Sequence, residues 1–173
     1  MALTKSTLLG ISLAFSINLG ASPVFANCSR SATTKVAGDP LSIEQLRTLA
    51  DQSKTTLSRL TTLVGELQQS LPTTLPPPAQ QALSAISVHI GKGTKAADDA
   101  LASGQDEEKL RYKMATLTSE IEITRSALTR LKLGLSGVEL STTSKAHLEQ
   151  LEKEIDDLRS SLQSLRSPAE STP

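Results

Sequence analysis

The fold is decided by two stretches of sequence, LRYKMATLTSEIEITRSALTRLKLGL (residues 110–135) and LEQLEKEIDDLRSSLQSL (residues 148–165). In both, apolar residues recur at alternating steps of four and three, and only Thr124 interrupts the first repeat. This heptad spacing is typical of helices that bury a narrow apolar stripe against other helices. The predicted packing seam and interaction surface consists of Leu110, Met114, Leu117, Ile121, Leu128, Leu131, Leu148, Leu151, Ile155, Leu158, Leu162 and Leu165.

Aromatic residues are almost absent from the remainder of the chain. Phe15 and Phe25 both fall within the first 26 residues, there is no Trp, and Tyr112 is the only Tyr. A core of Leu, Ile, Val, Ala and Met suits a helical bundle and is a poor set for a β-sandwich. It is also a thin set for a small-molecule pocket, whose walls are usually aromatic.

The charge is balanced, with 18 Lys and Arg against 18 Asp and Glu in 173 residues. A nucleic-acid-binding protein usually carries a basic surplus, and binding to an anionic membrane usually needs a polybasic block. The sequence has neither, so we expect no nucleic-acid partner.

The N-terminus has the pattern of a secretory signal at residues 1–26. Lys5 precedes an apolar run, and Val24 and Ala26 are the small residues that favour cleavage after position 26. The alternative is a membrane anchor, but the uncharged run at 6–22 is shorter than the roughly 20 apolar residues of a span. No later segment is long and apolar enough, so we expect export to the periplasm or the extracellular space and no membrane span after signal removal.

Cys28 is the only cysteine and would be the second residue of the mature chain. It is a free thiol, an intermolecular disulfide, or the lipid-bearing residue of a bacterial lipoprotein. The residues Phe25-Ala26-Asn27 fit a lipoprotein signal only loosely. The sequence leaves these three interpretations of Cys28 open.

Prolines and glycines divide the remaining chain into four amphipathic segments. The short connections between them predict an all-α, antiparallel (up-down-up-down) four-helix bundle with Leu-rich heptad seams. A single helix over 79–135, bent at Gly104, is an alternative. The predicted parts are a flexible leader at 27–38, a helical bundle domain at 39–167 with helices at about 40–71, 79–103, 105–135 and 143–166, and a disordered tail at 168–173.

Two features bear on how the third segment packs. Ile123 and Leu133 lie off the seam and are expected to widen the apolar face, which favours a multi-helix bundle over a bare dimer. Glu120 and Arg125 have the five-residue spacing that pairs charges across a parallel two-stranded coil. They fit the solvated face of an antiparallel bundle equally well.

Residues that could carry chemistry are few. His89 and His147 lack a ligand-type residue one turn away in a metal-binding arrangement, so we expect solvated or boundary histidines, no metal site and no cofactor. Gly91 and Gly93 lower helix propensity, which predicts a kink or local fraying near them.

No nucleophile with a base and no convergent carboxylates emerge from the spacing, so we expect no catalytic residues and no enzyme. The sequence favours an exported, non-catalytic helical bundle that acts through protein–protein contacts in a structural or adaptor role, with an unidentified protein partner or by self-association. One alternative is a lipoprotein tethered to the membrane through Cys28. The other is a homo-oligomeric coiled-coil spacer in which the last two helices pair between chains.

Overall fold

The computed structural model describes residues 41–163 and residue 165, and this part of the chain is all-α, as predicted. The predicted signal, the leader, Cys28 and the tail lie outside the described residues. The helices are α1 (Ile43–Ser70), α2 (Pro77–Leu101), α3 (Glu107–Gly134) and α4 (Thr142–Gln163).

The first helix begins close to the start at about 40 that the sequence predicts. Ser42 and Gln45 form a reciprocal capping box, in which Ser42 Oγ accepts from the Gln45 amide at 3.2 Å and Gln45 Oε1 accepts from the Ser42 amide at 2.9 Å. Both amides would otherwise lack an intrahelical partner. The capping box therefore places the first residue of α1 at Ile43.

The third and fourth helices also begin at side-chain caps, whereas α2 begins at Pro77 without one. Asp106 Oδ1 accepts from the Lys109 amide at 3.0 Å, and Ser141 Oγ accepts from the Ser144 amide at 3.0 Å. Gly104 has a φ of +63°, a conformation that favours glycine, and it reverses the chain between α2 and α3. The alternative of one long bent helix is thereby excluded.

The second helix continues without interruption through Gly91 and Gly93, so the expected fraying was wrong. Packing holds the helix at Gly93, because a Cβ there would stand 3.4 Å from a Cδ atom of Leu57 and 3.4 Å from one of Leu117. The missing side chain lets α1 and α3 approach α2 closely.

Contacts between α2 and α3 pair the start of one helix with the end of the other. A Cβ on Gly134 would lie against Ala79, Glu120 lies against His89, and Lys113 bonds to Asp99. These are the contacts of antiparallel neighbours.

The pair of α1 and α4 follows the same order. Ser144, at the start of α4, donates to the Ser70 carbonyl at the end of α1 over 2.6 Å. Arg125 on α3 pairs with Asp156 on α4 at 2.6 Å. Within the described residues α1 also touches α3 across the core, whereas α2 and α4 do not touch.

The seam residues lie inside this one bundle. All of them are buried except Leu165, which is partly buried against the same core. Thr124, the polar interruption, is also fully buried, and its Oγ1 donates to the Glu120 carbonyl at 2.8 Å. That bond within the helix satisfies the hydroxyl without a partner from another helix.

Ile123 and Leu133 do not widen the buried face, and that expectation was wrong. Their relative exposures are 41% and 68%. The narrow seam already fills the core side of α3, so these two side chains remain on its solvent side. Among the described residues, no helix combines the length and the apolar character that crossing a membrane requires.

Candidate functional site: the outer face of the α2–α3 hairpin

Exposed large apolar side chains occur only on α2 and α3 within the part of the chain that the structure describes. They are Val88, Tyr112, Ile123 and Leu133, with exposures of 51%, 68%, 41% and 68%. On α3, Ile123 lies three turns after Tyr112, and Leu133 lies ten residues further on, about 80° around the helix. All three are on the solvent side of α3. The outer side of this hairpin therefore carries the exposed large apolar side chains of the described residues.

A groove of about 620 Å³ runs between α2 and α3 on this side. Ala82 and Ala127 are buried at its floor, and Arg130 and Leu133 stand exposed beside it. The side chains at the floor are small, which lets the two helices approach closely. The volume lies within the range of roughly 300 to 1,000 Å³ found for binding clefts.

Val88 and Ile123 extend this groove along the hairpin. Val88 lies nearly one turn beyond Ala85, which lines the groove, and Ile123 lies one turn before Ala127. We call Ala85, Val88, Ile123 and Leu133 the apolar half of the α2–α3 face.

His89 lies at the boundary between α2 and α3. Its Nδ1 is 2.6 Å from Oε2 of Glu120, and the two side chains are only 20% and 17% exposed. Glu120 therefore pairs within the chain, and so does Arg125 with Asp156. Glu120 and Arg125, whose five-residue spacing could have indicated a parallel coiled coil, therefore need no second chain to form ion pairs.

A lysine cluster follows the apolar half toward the turn at Gly104. Lys113 donates to Asp99 at 2.9 Å, and this bond, together with the charges of Lys95 and Lys109, lowers the pKa of the Asp99 carboxyl below its usual value. The Lys113 ammonium also lies 5.9 Å from the centre of the Tyr112 ring, within cation–π range. We call Lys95, Lys109, Lys113 and Tyr112 the basic half of the α2–α3 face.

His147 occupies a comparable boundary between α1 and α4. Its Nδ1 is 3.4 Å from Ser70 Oγ, and its Nε2 is 3.8 Å from Glu66. Across residues 41–163 no group of three His, Cys, Asp or Glu side chains comes close enough to hold a metal ion.

A second cleft, of about 430 Å³, opens between α1, α3 and the end of α4. Three of its polar side chains already have partners in the chain. Arg111 donates to Glu107 at 2.8 Å, Glu122 accepts from Arg159 at 2.7 Å, and Thr118 bonds to its own helix. The cleft thus offers an apolar wall with few polar groups left to orient a ligand.

Sequence reasoning placed the interaction surface on the seam and missed the α2–α3 face. The available signal was the position of Ile123 and Leu133 off the seam, which we interpreted as extra core. No known family model, curated protein or solved structure matches this chain.

Proposed function

We propose that this protein is an exported, non-catalytic helical bundle that acts through protein–protein contacts, in a structural or adaptor role in the cell envelope or the extracellular space. The observation that carries the proposal is the α2–α3 face, which gathers the exposed large apolar side chains of the described residues. Such patches on otherwise polar surfaces are typical of interaction sites.

The charged side chains support the same proposal. Lys54 pairs with Asp98 at 2.7 Å between α1 and α2, and Arg159 pairs with Glu122 at 2.7 Å between α4 and α3. These pairs lie between helices and help to fix their register. Lys54 and Asp98 line neither cleft, and the carboxylate that Glu122 brings to the second cleft is already paired with Arg159.

Export rests on the pattern of the first 26 residues. A tether through Cys28 would add a membrane attachment to the same bundle and is compatible with a protein-binding role. The coiled-coil spacer is the weaker alternative. Its pairing surface would be the seams of α3 and α4, and those side chains are already buried inside the chain.

The test is site-specific photo-crosslinking of the full chain in its own cells. A photoreactive amino acid replaces one exposed residue at a time, at Asp51 on α1, Ser126 on α3 and Lys153 on α4. We expect a light-dependent adduct with another protein from at least one position. Adducts with lipid alone, or no adduct from any position, would contradict a role in protein contacts.

A further inference from the structure

We propose that the α2–α3 face is the docking site of an acidic amphipathic helix from a partner protein. This inference rests on the proposed function and names the partner's chemistry. It is carried by the shape of the groove, by the local surplus of positive charge, and by the absence of a matching surface on the described part of this chain.

The shape fits a helix. The groove lies between two antiparallel helices, so a further helix can pack against both of them, as α1 does on the other side. From residue 78 to residue 88 it is roughly 15 Å long at 1.5 Å per residue, which accommodates about three turns. Anchors at positions i, i+3 or i+4, and i+7 of the partner would contact the recessed alanines and pack beside Val88 and Leu133.

The charge fits an acidic partner. Neither Lys92 nor Arg130 forms an ion pair with another described residue, and Lys95 and Lys109 face an Asp99 that is already bonded to Lys113. The surplus is local, since the whole chain is balanced. The cations on this side of the hairpin are Lys92, Lys95, Lys109, Lys113 and Arg130, against the carboxylates of Asp99, Glu108 and Glu120.

A second copy of this chain fits less well. A two-fold contact through the same face would bring the same cations together and raise the free energy of association. A contact with another face lacks an anchor, because the described residues of α1 and α4 expose no large apolar side chain.

A membrane surface also fits less well. The alanine floor is recessed between the helices, and the lysine cluster lies toward one end. Insertion into a bilayer favours a continuous protruding apolar stripe, whereas here Val88 and Leu133 protrude separately with the recessed alanines between them.

The test is selection from a displayed library of random 20-residue peptides against the full chain purified from its own cells. We expect enrichment of sequences with apolar residues at helical spacing and with Glu and Asp on the flanks. Fluorescence anisotropy of an enriched peptide then gives the dissociation constant. We expect it to rise about tenfold for Lys92→Glu with Lys95→Glu, and by a similar factor for Val88→Ser with Leu133→Ser.

The matched control is Lys145→Glu with Lys153→Glu, which makes the same charge change on exposed residues of α4. It should leave the dissociation constant within about twofold of the wild-type value, because surface charges this far away are screened. Circular dichroism checks that all variants remain helical. Enrichment of neutral or basic peptides, no enrichment, or an equal loss of affinity in the control would overturn the inference.

Vesicle binding and the oligomeric state test the two other occupants of this face, a membrane surface and a second copy of the chain. Binding to vesicles of phosphatidylglycerol without binding to the acidic peptides, or dimerisation that Val88→Ser with Leu133→Ser abolishes, would each overturn the inference. A cellular protein adduct at Asp51 or Lys153 but none at Ser126 would overturn it while leaving the proposed function intact. Absence of protein adducts at all three positions would count against the proposed function itself.

Discussion

Gly134, the last residue of α3, packs directly against Ala79 near the start of α2. A Cβ built on Gly134 would stand 2.9 Å from the Ala79 backbone nitrogen and 3.1 Å from its Cα. Backbone atoms within a helix cannot move aside as the end of a flexible side chain can. This contact sets how closely the two helices approach at the end of the hairpin that carries the groove.

Gly134→Ala should therefore destabilise the protein. We expect a loss of about 1 to 3 kcal/mol in the free energy of unfolding, the usual cost of overpacking. The measurement is urea denaturation followed by circular dichroism. Gly91→Ala is the matched control, since a Cβ there meets nothing within 4 Å, and it should stabilise the protein by about 0.5 to 1 kcal/mol. Equal effects of the two substitutions would contradict the close contact.

Truncation of the seam should be costly within the monomer. Leu117 is fully buried, so Leu117→Ala should lower the free energy of unfolding by about 2 to 5 kcal/mol. Leu133→Ala, on the exposed side of the same helix, should change it by no more than about 0.5 kcal/mol. The thermal midpoint should be independent of protein concentration. A midpoint that rises with concentration would indicate that the seam packs between chains.

The His89–Glu120 pair should be coupled more strongly than an exposed ion pair. A double-mutant cycle with His89→Ala and Glu120→Ala should give a coupling free energy of about 1 kcal/mol, because both groups are half-buried at 2.6 Å. The comparison is Lys132 with Glu152, an exposed pair at 2.9 Å, for which we expect about 0.5 kcal/mol or less. A larger coupling free energy for Lys132 with Glu152 than for His89 with Glu120 would mean that the histidine pair does not hold α2 and α3 together.

The Asp99 carboxyl should titrate below its usual pKa of 3.8, chiefly because Lys113 donates a hydrogen bond to it. A carboxyl whose pKa is lowered by folding adds stability above about pH 4, and this is lost as the pH falls through the folded-state pKa. The effect should be small and sensitive to salt because Asp99 is partly exposed to solvent. Carbon-13 NMR titration of Asp99 gives the pKa, and Lys113→Gln should raise it toward the usual value. An unchanged pKa in that variant would show that Lys113 is not the cause.

The state of Cys28 should be visible in the intact mass of the protein isolated from its own cells without reductant. We expect a chain that begins at Asn27 and carries a free thiol. A mass that begins at Cys28 with added acyl groups would make the protein a lipoprotein. A doubled mass that halves on reduction would indicate a disulfide-linked dimer.

The sequence predicted the helices because their determinants are local. Apolar spacing, caps and prolines act within a few residues of one another, so α3 and α4 could be located from their heptads alone. Helix boundaries were harder to predict, since Pro40 and Ser42 lie two residues apart and both residue types are common at the start of a helix. The continuity of α2 through Gly93 could not be predicted, because Leu57 and Leu117, which pack against it, come from other helices.

The α2–α3 face could not be predicted from local sequence patterns. Ile123 and Leu133 have the same apolar character as the seam residues, and their periodicity alone cannot show whether a fourth helix covers them. The basic residues lie on two helices, so their clustering around Asp99 is invisible along the chain, where Lys and Arg are not concentrated beside the apolar stripes.

By itself the sequence determined that this chain forms amphipathic helices that must bury a narrow stripe of Leu, Ile and Met. Only the tertiary structure decided that α3 and α4 bury that stripe within one chain and that the outer side of α2 and α3 stays open. The physical reason is that hydrophobic burial is non-directional. The spacing fixes which residues leave water, whereas the chain reversals and the close contact at Gly134 fix which helices they meet.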